Sequence, residues 1–345
     1  MNDTADAPPY ADLTPDAVLN AIDAIGRQAG DDSLITTGTL LTLNSYENRV
    51  FQVGVESADG TSGFAIAKFY RPGRWTDAQI EEEHAFVAEL AAAEVPAVPA
   101  RVIGGRTLHH VDGHRVALFE RRGGRAPNLD DDEVLQWLGR FIGRLHAVGS
   151  ARPYAQRPAL DLASFGTEPR QWLLDHDWVP PELRTTWASV SQQALQVAAE
   201  RISQVPEVAR LRLHGDVHEG NVLWYDGLKQ SGPHFVDFDD SRMGPAVQDL
   251  WMLLGSREQA PQRLKALLDG YEEFREFDDR ELALIEPLRT LRLLHYSAWI
   301  ARRWSDPAFP AAFPFFDTPR YWEARILELR EQVAAMSEPA LRPAR

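Results

Sequence analysis

The residue pattern of this 345-residue chain changes character once, at Gly123–Gly124 and Pro127, and that change limits the folds open to it. Before the break, short runs rich in Thr, Val, Phe and Ile occupy Ser33–Leu43, Arg49–Ser57, Gly63–Tyr70, Thr107–Val111 and Arg115–Glu120. Turn residues at Asn44–Asn48, Ala58–Ser62 and Asp112–Gly113 separate them, so five strands are expected. A helix over Thr14–Gln28 is expected ahead of them, with Thr14 as cap and Pro15 at the first helical position. Another, Thr76–Val95, is inserted after the third strand. Thr76 and Gln79 have capping-box spacing, Ile80, Phe86, Val87 and Leu90 share a face, and Pro96 and Pro99 stop it. Residues 1–12 read as a loose tail.

After the break the pattern is mainly helical. Val134, Leu138, Phe141, Ile142 and Leu145 form an apolar stripe over Asp130–Val148. Residues 168–204 predict two helices parted near Pro180–Pro181, and helices resume from Val247. Only Leu211–Phe238 reads as strand. Strands with one inserted helix, then helices, indicate an α+β fold of two lobes, 1–121 and 122–345, rather than a doubly wound sheet.

Composition excludes several classes. There is no cysteine, which removes disulfide scaffolds, thiolate zinc sites and cysteine nucleophiles. A formal charge of −15 argues against a nucleic-acid partner, which would need clustered Lys and Arg. The acidic, Pro-rich start does not read as a secretory signal, and no apolar run approaches the roughly 18 residues of a membrane span. A cytoplasmic protein is expected.

The densest chemical signal is Leu213-His214-Gly215-Asp216-Val217-His218-Glu219-Gly220-Asn221, followed by His234-Phe235-Val236-Asp237-Phe238-Asp239-Asp240. Each acidic group follows an apolar, β-type run, which places a carboxylate at the end of a buried strand. Asp216, Asn221 and Asp237 offer hard oxygen ligands, the kind magnesium prefers. Phosphoryl transfer needs a carboxylate for the acceptor hydroxyl, metal ligands bridging phosphates and a lysine on the phosphate tail. Asp216 suits the first role and Asn221 and Asp237 the second. Lys68 suits the third, being the only cation inside Phe64-Ala65-Ile66-Ala67-Lys68-Phe69-Tyr70. A buried lysine requires a carboxylate partner, and Glu83 lies on the core-facing side of the next helix, with Glu82 as the alternative. Each residue alone has a plainer reading as an edge-strand cation, a solvated helix face or a cap, but together and in this order they form one ATP-dependent phosphotransferase. A metal-dependent hydrolase built on His214, Asp216, His218 and Asp237 would leave Lys68 and Asn221 without a role.

His214-Gly215-Asp216 with Asn221 resembles the catalytic loop of the aminoglycoside phosphotransferase and choline kinase group, which has a two-lobed protein-kinase-like fold. Gly244-Pro245 and Asp249-Leu250 match that group too, and the resemblance implies that Asp249 starts a buried helix and fastens the catalytic loop. Longer blocks are similar to the bacterial stress response kinase A family: Asn44–Val50, Lys68–Pro72, Leu211–Asp216, Gly244–Leu254 and Arg303–Pro310. That resemblance implies a cytoplasmic serine/threonine protein kinase using ATP and Mg2+, with a role in envelope and oxidative stress. It makes Asp216 the catalytic Asp, Asn221 and Asp237 the magnesium ligands and Ser45 the serine of the nucleotide loop. Unlike the Gly-rich loops of typical kinases, Leu43–Asn48 contains no glycine, so a stiffer loop is expected.

Two acceptor classes remain. Only eleven residues separate Asp237 from Asp249, too few for a long activation segment, which favours a small hydroxyl-bearing metabolite. The family resemblance, which spans most of the chain, favours a protein Ser/Thr acceptor.

Overall fold

The computed structural model describes residues 8–31, 34–205, 207–227 and 231–344. Residues 1–7 of the expected tail, Ser33 at the start of the first expected strand, and 228–230 within the expected 211–238 region lie outside the described residues. The chain forms two compact units. The first holds residues up to Arg125 together with Leu223–Asp226 and His234–Asp239; the second holds Ala126–Val222, Gly227–Pro233 and the chain from Asp240 on.

In the first unit, helix α1 (Pro15–Ala29) starts at Thr14, whose side chain accepts from Ala17 N at 3.2 Å. It ends at Gly30, which takes the left-handed conformation at φ 64°. Strands β1 (Ile35–Thr42), β2 (Arg49–Glu56) and β3 (Ser62–Phe69) follow, then α2 (Asp77–Ala92), β4 (His109–Val111) and β5 (His114–Glu120). Among the described residues the strands form one antiparallel sheet in the order β1-β2-β3-β5-β4. Alternation along β3 sorts its side chains. Ala65, Ala67 and Phe69 join the core that Val18, Ile22 and Ile25 of α1 make with Val53, Val116 and Leu118. Tyr70 faces the other way, into a smaller cluster with Ile80 of α2, Leu108 and Ala117. Lys68 falls on that same opposite face, paired in register with Val50 and Ala117. The expected capping box is present, with Thr76 and Gln79 each bonding the other's backbone.

The loose tail expected over residues 1–12 does not describe residues 8–12. Tyr10 packs against the sheet end, its hydroxyl donating to Phe69 O at 3.2 Å, while Arg49 and Arg71 lie over its ring at 4.6 and 5.7 Å. An aromatic ring with two cations on it is held by more than tail composition reveals.

Beyond Arg125, α3 (Asp132–Gly149), α4 (Glu168–Asp175) and α5 (Pro181–Ser203) precede the short strands β6 (Leu211–Arg212), β7 (Val222–Asp226), β8 (Ser231–Phe235) and β9 (Met243–Gly244). Then come α6 (Ala260–Tyr271), α7 (Ile285–Ala301), α8 (Ala308–Ala312) and α9 (Pro319–Ala335). Helix α3 crosses α6 at glycines: a Cβ on Gly139 would sit 2.0 Å from Leu267 O, and one on Gly270 would sit 2.0 Å from Gln136 O. Only hydrogen atoms there let the two backbones approach this closely.

The expectation of helix from Val247 requires correction, as does that of Asp249 at a helix start. Ala246–Asp249 and Trp251–Leu253 are 3-10 turns, and Asp249 is the last residue of the first. Val247 N is taken by the Glu281 carboxylate at 2.8 Å, which replaces the helical partner that the turn would otherwise provide. The tighter turn aims Asp249 at the 214–221 loop. Its Oδ2 accepts from His214 N at 2.8 Å, its Oδ1 from Gly215 N at 2.8 Å, and His146 Nε2 lies 3.1 Å from Oδ2. Asp249, His146 and His214 have no exposed surface. Gly215 has φ 90°, and a Cβ there would lie 2.2 Å from Asp240 O, so no other residue fits the loop's bend.

Two predictions follow from this support. Asp249→Ala strands two buried backbone N–H groups and should lower urea-measured stability by about 3 kcal/mol without changing the slope. Glu281 is pushed up to about 7, first by burial, then by Asp278, against the pull of the Val247 N–H. Its folded value therefore lies above the ordinary 4.5. The stabilisation is complete below about 4.5 and is lost as pH rises through about 7, up to about 3 kcal/mol. Glu281→Gln should remove that slope, seen as the difference between wild-type and variant unfolding free energies from pH 5 to 8.

Candidate active site

In the first unit the site is built around a buried ammonium. Lys68 Nζ lies 2.8 Å from Asp237 Oδ1 and 3.3 Å from Asp239 Oδ1, and 5.1 Å from the centre of the Tyr70 ring. Burial pulls the amine's pKa down, but the Asp237 and Asp239 carboxylates, with Tyr70 and Glu83, outweigh it and hold the value well above the usual range. Lys68 is therefore charged. Asp237 and Asp239 are in ion-pair contact with the amine, two partners the sequence did not point to. Glu83 is buried, Glu82 half-buried and Glu81 exposed, and Glu83 acts on the amine through its field. A contact across 169 residues is invisible to any local pattern.

The two aspartates differ. Asp239 is 4% exposed in its side chain and also pairs with Arg74 at 2.8 Å, whereas Asp237 is 50% exposed. Asp237 has φ 60°, a left-handed conformation that Asp tolerates at a cost of about 1 kcal/mol. Phe238 between them is buried edge-on against Phe86 of α2, with ring centres 6.3 Å apart. Phe235 just before them is pinned by its N–H to Pro96 O at 2.8 Å and by Val98 N to its own carbonyl at 3.2 Å. The segment therefore has little freedom to move its carboxylates.

Arg74 continues the chain of charges to Glu47 at 3.1 Å, and Glu47 to Arg71 Nε at 3.1 Å. Arg71 in turn straps the 44–48 loop: its N–H donates to Asn48 Oδ1 at 3.0 Å and its Nε to Glu47 O at 2.9 Å. Arg49 donates to Tyr46 O at 3.0 Å. The Ser45 hydroxyl is spent inside the loop, donating to Asn48 O at 3.0 Å. Side-chain ties thus hold this glycine-free loop.

In the second unit the 214–221 loop presents Asp216. Asn221 Nδ2 donates to Asp216 O at 3.0 Å and approaches its Oδ2 at 3.4 Å; His218 Nε2 is also 3.4 Å from Oδ2. Arg292 of α7 lies 2.8 Å from Oδ1, yet off the line of a hydrogen bond, and Oδ1 is buried without a donor. Burial raises the Asp216 carboxyl, but the His218 contact and the Arg292 charge overcome it, and the net shift is downward. Asp216 is therefore an ionised acceptor of hydrogen bonds. His214 is fully buried, and its Nδ1 accepts the Asp216 N–H at 3.3 Å within the loop.

Of the residues singled out from sequence, Lys68, Asp237, Glu83 and Ser45 thus lie in the first unit, with Lys68 and Asp237 in contact. Asp216 and Asn221 lie in the second and touch each other. Arg74, Glu47, Arg71 and Arg292 were not foreseen. A signal existed for two of them: Arg71 and Arg74 follow directly on the Lys68 strand, where a turn of solvated residues would be the ordinary expectation.

The family described as phosphotransferase enzyme family matches residues 39–285. The protein named serine/threonine protein kinase RdoA from Salmonella typhimurium is 40% identical over 342 residues, 99% of this chain and 98% of its own length. Stress response kinase A of Escherichia coli strain K12 is 40% identical over 333 residues, 96% of each chain. Among solved structures, an amicoumacin kinase in complex with AMP-PNP and Ca2+ superposes with a TM-score of 0.68 at 17% identity, over 93% of this chain and 95% of that one. A microcompartment-associated aminopropanol kinase gives 0.67 at 20%, over 91% and 98%. These two show the shared kinase-like α+β fold. The chain belongs to the phosphotransferase enzyme family, within the bacterial stress response kinase A group, and is a kinase.

Proposed function

We propose that this kinase moves the γ-phosphoryl group of ATP to a serine or threonine hydroxyl of a protein, with magnesium, in the cytoplasm. The observation that carries the reading is the charged Lys68 amine, buried in an apolar strand and held 2.8 Å from Asp237, in a chain 40% identical along almost its whole length to a serine/threonine protein kinase. Lys68 is suited to the phosphate tail because its own strand and Tyr70 fix it in place. Asp239, already neutralised by Lys68 and Arg74, serves to hold that lysine, which leaves the exposed Asp237 as the metal ligand.

The donor set fits magnesium. Among the described residues no cluster of three or more His, Asp or Glu could hold a metal by itself. Magnesium takes one or two protein oxygens and fills its other positions with water and phosphate, so a carboxylate such as that of Asp237 and an amide oxygen such as that of Asn221 would serve it. Asn221 Nδ2 is tied to Asp216, which leaves the amide oxygen to face a cation. Bound there, the ion would neutralise the phosphates. Asp216 would accept the proton of the acceptor hydroxyl as its oxygen attacks the γ-phosphorus and the bond to ADP breaks. The 44–48 loop would receive the phosphates, with Ser45 setting its shape, and Glu83 would help hold Lys68.

Protein is favoured as acceptor by the near-full-length relative. A small hydroxyl-bearing metabolite is the second reading, favoured by the eleven residues between Asp237 and Asp249. Incubating pure protein with labelled ATP and magnesium in a cell extract, before and after removal of small metabolites, decides between them. Label in protein bands is expected, and label confined to the metabolite fraction would transfer the activity to the second class. No helix among the described residues is long and apolar enough to cross a membrane.

Asp216→Ala should lower turnover by about 10²–10⁴-fold, the usual contribution of an acid–base group. Asp237→Asn, which keeps the left-handed backbone, should abolish magnesium-dependent turnover in steady-state assays. Retained activity there would assign the metal to Asp239 instead.

A further inference from the structure

The surroundings of Asp216 bear on which hydroxyl it can serve, given the kinase reading above. Both of its carboxylate oxygens are covered by neighbouring side chains. Oδ2 is faced by Asn221 and His218, residues of its own loop. Oδ1 is buried beneath Arg292, which comes from α7 and is 37% exposed in its side chain. For a hydroxyl to reach Asp216, one of these groups must withdraw. Asn221 and His218 are fixed by the turn they build, His218 Nδ1 accepting Gly220 N at 3.0 Å and Asn221 N donating to His218 O at 2.9 Å. Arg292 is long, solvent-facing, and off the line of a hydrogen bond to Oδ1, so it is the group that moves.

An arginine leaves a carboxylate at least cost when another anion takes it. Asp240, the other carboxylate acting on Asp216, does not offer one: it is held by Arg242 at 2.9 Å, and Arg242 itself lies over the Phe165 ring at 4.5 Å. His295, one turn along α7 from Arg292, is stacked on that same ring with centres 4.1 Å apart. The anion therefore has to arrive with a substrate, either the ATP phosphates or the acceptor. The chain's charge of −15 opposes acidic partners at long range, but beyond about 8 Å that field is screened at physiological salt and the local arginine decides.

We infer that Arg292 selects the acceptor: it covers Asp216 until a carboxylate beside the target hydroxyl draws its guanidinium away, so that serines or threonines flanked by acidic residues are preferred. Two synthetic peptides test this, identical except for Glu or Gln on both sides of a single serine, with kcat/KM measured under magnesium–ATP. Wild-type enzyme should prefer the Glu peptide by about tenfold or more, the size of one charge-assisted contact. Arg292→Gln should bring that ratio to about one, and Arg292→Lys should keep most of it. A wild-type ratio near one overturns the inference while leaving the kinase reading intact, and does so whether or not a variant folds. A ratio that persists in Arg292→Gln, with both peptides slowed alike, assigns the arginine to the phosphoryl group and overturns it as well. Labelling of neither peptide by the wild type overturns both readings.

Discussion

An ammonium group buried on a β-strand sets the terms for the first unit. Removing Lys68 from water is costly unless carboxylates meet it with good geometry. Asp237 and Asp239 do so, and each has consequences. Asp239 adds a buried negative charge, which Arg74 balances; Arg74 reaches Glu47, and Glu47 reaches Arg71. Positive and negative charges alternate along this buried path, so each charge is balanced by its neighbours. The path ends in the backbone of the 44–48 loop, which ties the loop to the lysine without any glycine-dependent bend.

The second unit solves a different problem. Asp216 is ionised and one of its oxygens is buried, so its loop has to be held in shape. The Asp249 carboxylate supplies that rigidity from beneath, gripping two consecutive N–H groups of the loop. Gln248 adds a third tie, donating to Gly215 O at 3.0 Å. The 3-10 geometry of 246–249 is what brings both side chains to bear, and the Glu281 carboxylate on Val247 N stabilises that geometry.

Much of the fold was legible because it is written in local chemistry. The alternation in β3, the Thr76 capping box and the proline stop after α2 all act within a few residues. Lys68 stood out as one cation in an apolar run, and the loop around Asp216 stood out by its spacing. What escaped notice depends on apposition. Asp239 as a partner of Lys68, Arg74 bridging to Glu47, and Arg292 over Asp216 each join segments far apart in the chain. Local patterning was misleading where a tertiary bond overrode it: Val247 looked helical because its neighbours are apolar, yet its N–H belongs to Glu281. The segment before α1 was misjudged for the same reason, since its composition says nothing about the two arginines that settle on Tyr10.

That last contact has a practical side. Burial pushes the Tyr10 hydroxyl's pKa well up, so the ring stays neutral while Arg49 and Arg71 rest on it. Those same arginines hold the carbonyls of Tyr46 and Glu47. Trimming the chain back to the start of α1, a natural choice for anyone seeking a smaller fragment to crystallise, would strip the floor from under both guanidinium groups. Such a fragment would keep its sheet and its lysine while its 44–48 loop came unmoored.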